Sequence, residues 1–172
     1  MNTAYSLDQL EEKAATTAAG ELLANDWEQL KEISTNRMQS PDISPRDRLR
    51  WANLASQFIS KKYADDPESV RREVIEQTWV RAYAVRNLIE PGPRKLSEAA
   101  ALCTHVLSHI DLSREEIMEV LDSQPPASRE SALRLRTVKN MLTPLMQVHE
   151  LLEDEETKTE IDAWLALLPR LP

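Results

Sequence analysis

Apolar residues recur along this chain at intervals of three and four, the repeat of an α-helix that buries one face. Leu7, Leu10 and Ala14 open the pattern, and Leu22, Leu23, Trp27, Leu30 and Ile33 continue it. Leu49, Ala52, Leu54, Ala55, Phe58 and Ile59 form a second stripe. A third runs through Val70, Val74, Ile75, Trp79, Ala82 and Val85, widened by Val80, Tyr83, Ala84 and Leu88. A stripe that wide predicts a central helix touched from two sides, with Trp79 buried in it. Leu96, Ala99, Ala100, Cys103, Val106, Leu107 and Ile110 keep the same spacing. So do Ile117, Val120 and Leu121; Leu135, Val138, Leu142, Leu145 and Leu152; and Ile161, Trp164, Leu165 and Leu168. No alternating strand pattern, fixed-period repeat or sustained heptad seam accompanies them.

Start and stop signals divide these stripes into helices. Ser6 with Gln9, and Ser113 with Glu116, have capping-box spacing. Ser44-Pro45-Arg46-Asp47 combines a serine cap, a proline at the first helical position and an acid in the first turn. Asp66-Pro67-Glu68 repeats that signal for a helix reaching Leu88 or Ile89, and Ser128 caps another. Gly20 should separate two helices, residues 34–44 read as a polar loop, and Gln124–Ala127 reads as a turn. Pro144 should kink its helix or start a new one, and Pro91-Gly92-Pro93 is the clearest break.

Composition narrows the function classes. Gly20 and Gly92 are the only glycines among 172 residues, against ten prolines. Phosphate-cradling loops, nucleophile elbows and β-hairpins need glycine at positive φ, so those classes are disfavoured. The single cysteine, Cys103, excludes an internal disulfide and suits a reducing compartment. The start, MNTAYSLDQLEEK, has neither a basic region nor an apolar run, and no stretch approaches a membrane span. A cytoplasmic protein is expected.

The net charge of −8 is unevenly spread. Residues 1–36 carry 2 basic and 7 acidic side chains, residues 37–95 carry 12 and 8, residues 96–148 carry 5 and 7, and residues 149–172 carry 2 and 7. The basic middle offers Arg46, Arg50, Lys61, Lys62, Arg71 and Arg72 to an acidic partner protein. Alternatively, it pairs in cis with the acidic ends of its own chain.

Other constellations are sparser. His105 and His109 share a helix face and are the weak metal candidates, but Val106 stands where zinc proteases carry glutamate. Cys103 lies on an apolar stripe, where a small core residue is expected rather than a nucleophile. Asp65-Asp66, Glu115-Glu116 and Glu153–Glu156 stand at helix starts or turns, where acids complement the helix dipole. Residues 113–140 admit a helix-turn-helix reading with Arg129, Arg134, Arg136 and Lys139 facing DNA. Its turn is long and proline-rich, and the acidic net charge opposes phosphate affinity.

The expectation is an all-α, irregular bundle or array of about six to eight helices. It forms a single compact unit over residues 1–172, with a candidate subdivision at 90–94 between helices of 1–90 and 95–172. The expected function is a non-catalytic protein-interaction module: an adaptor, regulator or assembly factor without metal or cofactor. DNA binding and an enzyme site assembled from scattered side chains are the alternatives. No membrane partner is expected, and homo-oligomerisation stays open.

Overall fold

The structure, a computed structural model, describes residues 5–123 and 128–172. Eight α-helices and five short 3-10 turns carry the described chain, and no strand occurs in it. The helices are α1 (Leu7–Thr16), α2 (Ala24–Gln39), α3 (Pro45–Tyr63), α4 (Val70–Asn87), α5 (Pro93–Ser108), α6 (Arg114–Asp122), α7 (Arg129–Leu142) and α8 (Glu155–Leu165). The chain divides into two compact units, Met1–Leu88 and Ile89–Pro172.

The predicted caps close where their chemistry requires. Ser6 and Gln9 form a reciprocal capping box on α1, and Ser113 and Glu116 form one on α6. The Ser44 hydroxyl accepts from the Asp47 amide behind Pro45, so α3 starts as the sequence indicates. Asp66 first caps a 3-10 turn, Pro67–Ser69, which runs directly into α4. Ser128 caps α7, whereas the predicted turn Gln124–Ala127 lies outside the described residues. Pro144 ends the α-geometry: α7 stops at Leu142 and a 3-10 turn covers Thr143–Gln147.

Two boundaries differ in detail from the sequence reading. The chain does break near Gly20, but the extended residues Thr17, Ala18, Leu22 and Leu23 make the break, with Gly20 inside a 3-10 turn. The predicted loop at 34–44 is too long, because α2 continues to Gln39. Ser34 and Met38 extend the Trp27–Leu30 stripe by four and eight residues from Leu30 and are buried. The Ser34 hydroxyl donates to the Leu30 carbonyl at 2.9 Å, which satisfies it inside the core. Gly92 holds φ +150° between Pro91 and Pro93, in backbone space open essentially to glycine alone, and Pro93 then begins α5.

In the first unit α2 and α3 pack along each other, with α1 and α4 also against α3. Leu54, Ala55, Phe58 and Ile59 are wholly buried, and the Phe58 ring stacks on Trp27 with centroids 5.8 Å apart. Leu10 and Ala14 anchor α1 in the same cluster, while Val80, Ala84 and Leu88 contribute from α4. In the second unit Leu102, Cys103, Val106, Ile117, Leu142, Leu145 and Val148 are completely buried. The 3-10 turn His149–Leu151 packs on α5 and α8.

Candidate interaction surface

The basic segment of the first unit is partly consumed by acids of its own chain. Arg50 on α3 donates from Nη2 to Asp8 and to Glu11, both at 2.6 Å, and from Nε to the second Glu11 oxygen at 3.0 Å. Asp47, one turn earlier, sits 3.3 Å from Nη1. The acidic α1 is therefore clipped to α3 through a two-pronged guanidinium contact. Lys61 donates to the Thr17 carbonyl and lies over the Trp27 ring, 5.4 Å from its centroid. Lys62 bridges Glu28 of α2 at 2.6 Å and Glu76 of α4 at 2.9 Å. Lys31 reaches the same two carboxylates at 2.5 and 3.4 Å, and the Tyr63 hydroxyl donates to Glu76.

Glu28, Lys31 and Lys62 are shifted toward their charged forms in this network. Partial burial alone would raise the Glu28 carboxyl, but hydrogen bonds and charge from Lys31 and Lys62 outweigh it and hold it below the usual 4.5. Burial would lower Lys62, yet its bonds to Glu28, Tyr63 and Glu76 raise it above the ordinary lysine value. Lys31 rises for the same reason, against its burial, through Glu28 and Glu76.

The six predicted basic residues do not form one patch. Arg46 and Arg50 occupy the first turns of α3, and Lys61 and Lys62 its last, about 17–24 Å away at 1.5 Å per residue. Lys61, Lys62 and Arg72 instead gather with Asp65, Asp66 and Ser69 around a cleft of about 460 Å³. Arg71 and Arg72 are exposed at the start of α4, and Arg46 is exposed at the start of α3. Arg46 and Arg72 make no ion pair among the described residues.

The centre of α4 differs from the sequence expectation. Val74, Thr78, Val80, Ala82, Ala84 and Val85 are buried, so the helix does bury a wide arc. Trp79 is not part of it: its side chain is 44% exposed, and Val70 is also exposed. The open arc is narrow. At 100° per residue, Arg72 and Arg86 fall about 20° to either side of Trp79, and Ile75 and Tyr83 about 40°. Ile75, Trp79 and Tyr83 thus form one i, i+4, i+8 ridge, with an exposed arginine two turns away at each end. Arg48 of α3 donates to the Tyr83 hydroxyl at 2.7 Å and to the Met38 carbonyl at 2.8 Å. The three other tryptophans, Trp27, Trp51 and Trp164, are 7% exposed or less. The sequence reading missed this face because a tryptophan beside Val80 and Ala82 looks like core. The arginines seven residues before and after it were the available signal.

On α7, Arg129 and Arg136 are exposed and share a face, whereas Arg134 lies 3.6 Å from Asp111 and Lys139 donates to the Leu171 carbonyl at 3.1 Å. Two of the four proposed DNA contacts are thus engaged within the second unit. His105 and His109 have ring centroids 4.6 Å apart, and His109 Nδ1 meets the His105 carbonyl at 2.9 Å. No group of three or more His, Cys, Asp or Glu residues able to hold a metal occurs among the described residues. His149 pairs with Asp162 instead, at 3.3 Å. Cys103 is wholly buried, and burial pushes its thiol up to about 11. Asp66 and Asp154 are N-caps, and Glu115, Glu116, Glu155 and Glu156 occupy first turns, as helix dipoles favour. No helix among the described residues is long and apolar enough to cross a membrane.

Comparison with protein-family models, with curated proteins and with solved structures finds no match to this chain.

Proposed function

We propose that this protein is a non-catalytic helical interaction module, an adaptor, regulator or assembly factor that binds another protein in the cytoplasm. One observation carries the reading: Trp79 stands 44% exposed in the middle of a long helix, between exposed arginines. Tryptophan and arginine dominate the energetic centres of protein interfaces, and a tryptophan left in water forgoes the burial that would stabilise it. Three of the basic residues expected to meet a partner, Arg50, Lys61 and Lys62, work within the chain. The partner contact therefore moves to α4, keeping Arg72 from the original set. Arg50 and Lys62 support it indirectly by tying α1, α2, α3 and α4 together.

The test is a photo-crosslinking amino acid at position 79, introduced in the native cells, with a second at the exposed position Ser128 on the other unit. A discrete protein adduct specific to position 79 is the expected result. Adducts of equal yield at both positions, or none at position 79, would refute the reading. A nucleic-acid adduct from position 128, at the start of the helix that carries Arg129 and Arg136, would instead favour the DNA alternative.

A further inference from the structure

We infer that the cleft at the C-terminal end of α3 binds a free α-amino acid with an apolar side chain. The cleft lies within the first unit, and its ligand goes beyond the protein-interaction reading.

Its size suits a small molecule. At about 460 Å³ it falls inside the range of about 300–1,000 Å³ that small ligands occupy. The 3-10 turn Ala19–Glu21 and the start of α2 supply an apolar wall. Ala19 and Leu22 there are half-buried and Ala24 is exposed, so apolar surface stays open to the cleft. The end of α3, its connection to α4 and the first turn of α4 supply the charged lining: Lys61, Asp65 and Arg72.

The charges of the cleft fall into two sets. Lys62 is neutralised by Glu28 and Glu76. Asp66 is occupied as a cap, accepting from the Glu68 amide at 3.2 Å and from the Ser69 hydroxyl. The other set is unpaired. The side chains of Asp65 and Arg72 are exposed and bond neither to each other nor to any other described residue. Lys61 is half-buried, with a backbone carbonyl and the Trp27 ring as its contacts and no carboxylate. Two cations and one anion thus border a single cleft without closing on one another.

A ligand with one charge cannot use that lining. An anion meets Asp65 as a repulsive neighbour, and a cation meets Lys61 and Arg72. An α-amino acid carries both charges on one carbon and its side chain in a third direction. Asp65 fixes the orientation. Its Oδ2 lies 3.7 Å from the point where a Cβ on Gly20 would stand, so this carboxylate abuts the turn that carries the apolar wall. An ammonium group at Asp65 sets the side chain against Ala19 and Leu22 and turns the carboxylate to Arg72 and Lys61. The arginine fork suits a carboxylate, and both ends make charge-assisted hydrogen bonds.

The probes are L-leucine, L-methionine and L-phenylalanine, titrated into the full-length protein by calorimetry at neutral pH. Glycine lacks the side chain, and the N-acetyl and amide forms of each probe lack the ammonium and the carboxylate in turn. At least one probe should bind with one ligand per chain. It should bind about tenfold tighter than glycine and than either of its capped forms, since each missing group removes one such contact. Asp65→Asn and Arg72→Gln should each weaken it by about tenfold, with the melting temperature of the free protein unchanged. The two variants should also split. Asp65→Asn shrinks the preference over the N-acetyl form and keeps that over the amide, whereas Arg72→Gln does the reverse. A merely structural role would move both preferences together.

No saturable binding by any of the three up to about 10 mM overturns the inference. So does equal binding of the N-acetyl form, which assigns the cleft to a lone carboxylate, or of the amide, which assigns it to a lone amine. Binding that neither substitution weakens places the ligand elsewhere and also overturns it. Arg72 borders the α4 surface as well, but the titration needs no partner protein. Its outcome is therefore separate from that of the crosslink at position 79.

Discussion

Trp79 and Trp27 show how little the residue type decides by itself. Both are tryptophans on apolar stripes. Trp27 is 1% exposed, its ring on Phe58 and its indole N–H donating to the Ala19 carbonyl at 2.9 Å. Trp79 has no such enclosure. Trp27→Ala should therefore cost about 3–5 kcal/mol, as large-to-small core changes do. Trp79→Ala should cost less than about 1 kcal/mol, in line with surface substitutions. Urea unfolding of the two variants checks the contrast, and equal losses would return Trp79 to the core. Cys103 provides a second test at this scale. A thiol pushed up to about 11 and wholly buried is neither ionised nor reachable at neutral pH. A thiol reagent such as DTNB should label it only at the rate of unfolding, whereas rapid labelling of the native protein would show the site to be open.

At the scale of elements, ionic clips do what propensity alone does not. The ten-residue α1 is shorter than helices that are stable alone in water. It is held by Leu10 and Ala14 in the core and by the Arg50 fork at its acidic face. Arg50→Ala should speed hydrogen exchange across Leu7–Thr16 while α2 and α3 keep their protection. Uniform loss of protection would contradict that local role.

The Glu28–Lys31–Lys62–Glu76 network predicts a pH dependence of defined sign. The Glu28 carboxyl is depressed in the folded state, so its contribution is complete above the usual 4.5 and is lost as pH falls through the folded value. Lys31 and Lys62 are raised, so theirs is complete below the usual 10.5 and is lost as pH rises through the folded values. Glu28→Gln should flatten the fall in urea midpoint below about pH 5. An acid limb identical to that of the parent protein would exclude Glu28 as its source. These pairs remain partly exposed, so each contributes modestly.

At the scale of the whole molecule, the division between Leu88 and Ile89 stands beside the Pro91–Pro93 break visible in the sequence. Each unit has its own buried apolar set: Leu54, Phe58 and Ile59 in the first, Leu102, Ile117 and Leu142 in the second. Native-state hydrogen exchange should accordingly resolve two protection blocks that change over near residue 88. A single block with one opening energy would show that the units unfold only together.

What the sequence determined by itself is local. Ser6 with Gln9, Ser44 with Asp47 and Ser113 with Glu116 set helix starts through bonds to residues three positions away, and Pro144 ends a helix by its missing N–H, so their chemistry is written contiguously. Glycine scarcity and the helical period decided the all-α class for the same reason. What the tertiary structure decided is which stripe found a partner. Ser34 and Met38 read as loop residues, yet both are buried on α2, which packs along α3. Trp79 reads as core, yet the buried arcs of α4 fall to either side of it. Arg50 and Lys62 read as a free basic surface, yet Glu11, Glu28 and Glu76 arrive from 39, 34 and 14 residues away. Such contacts depend on the directions in which whole helices meet, and a helix's own residues record only that it has a face to bury, not what will cover it.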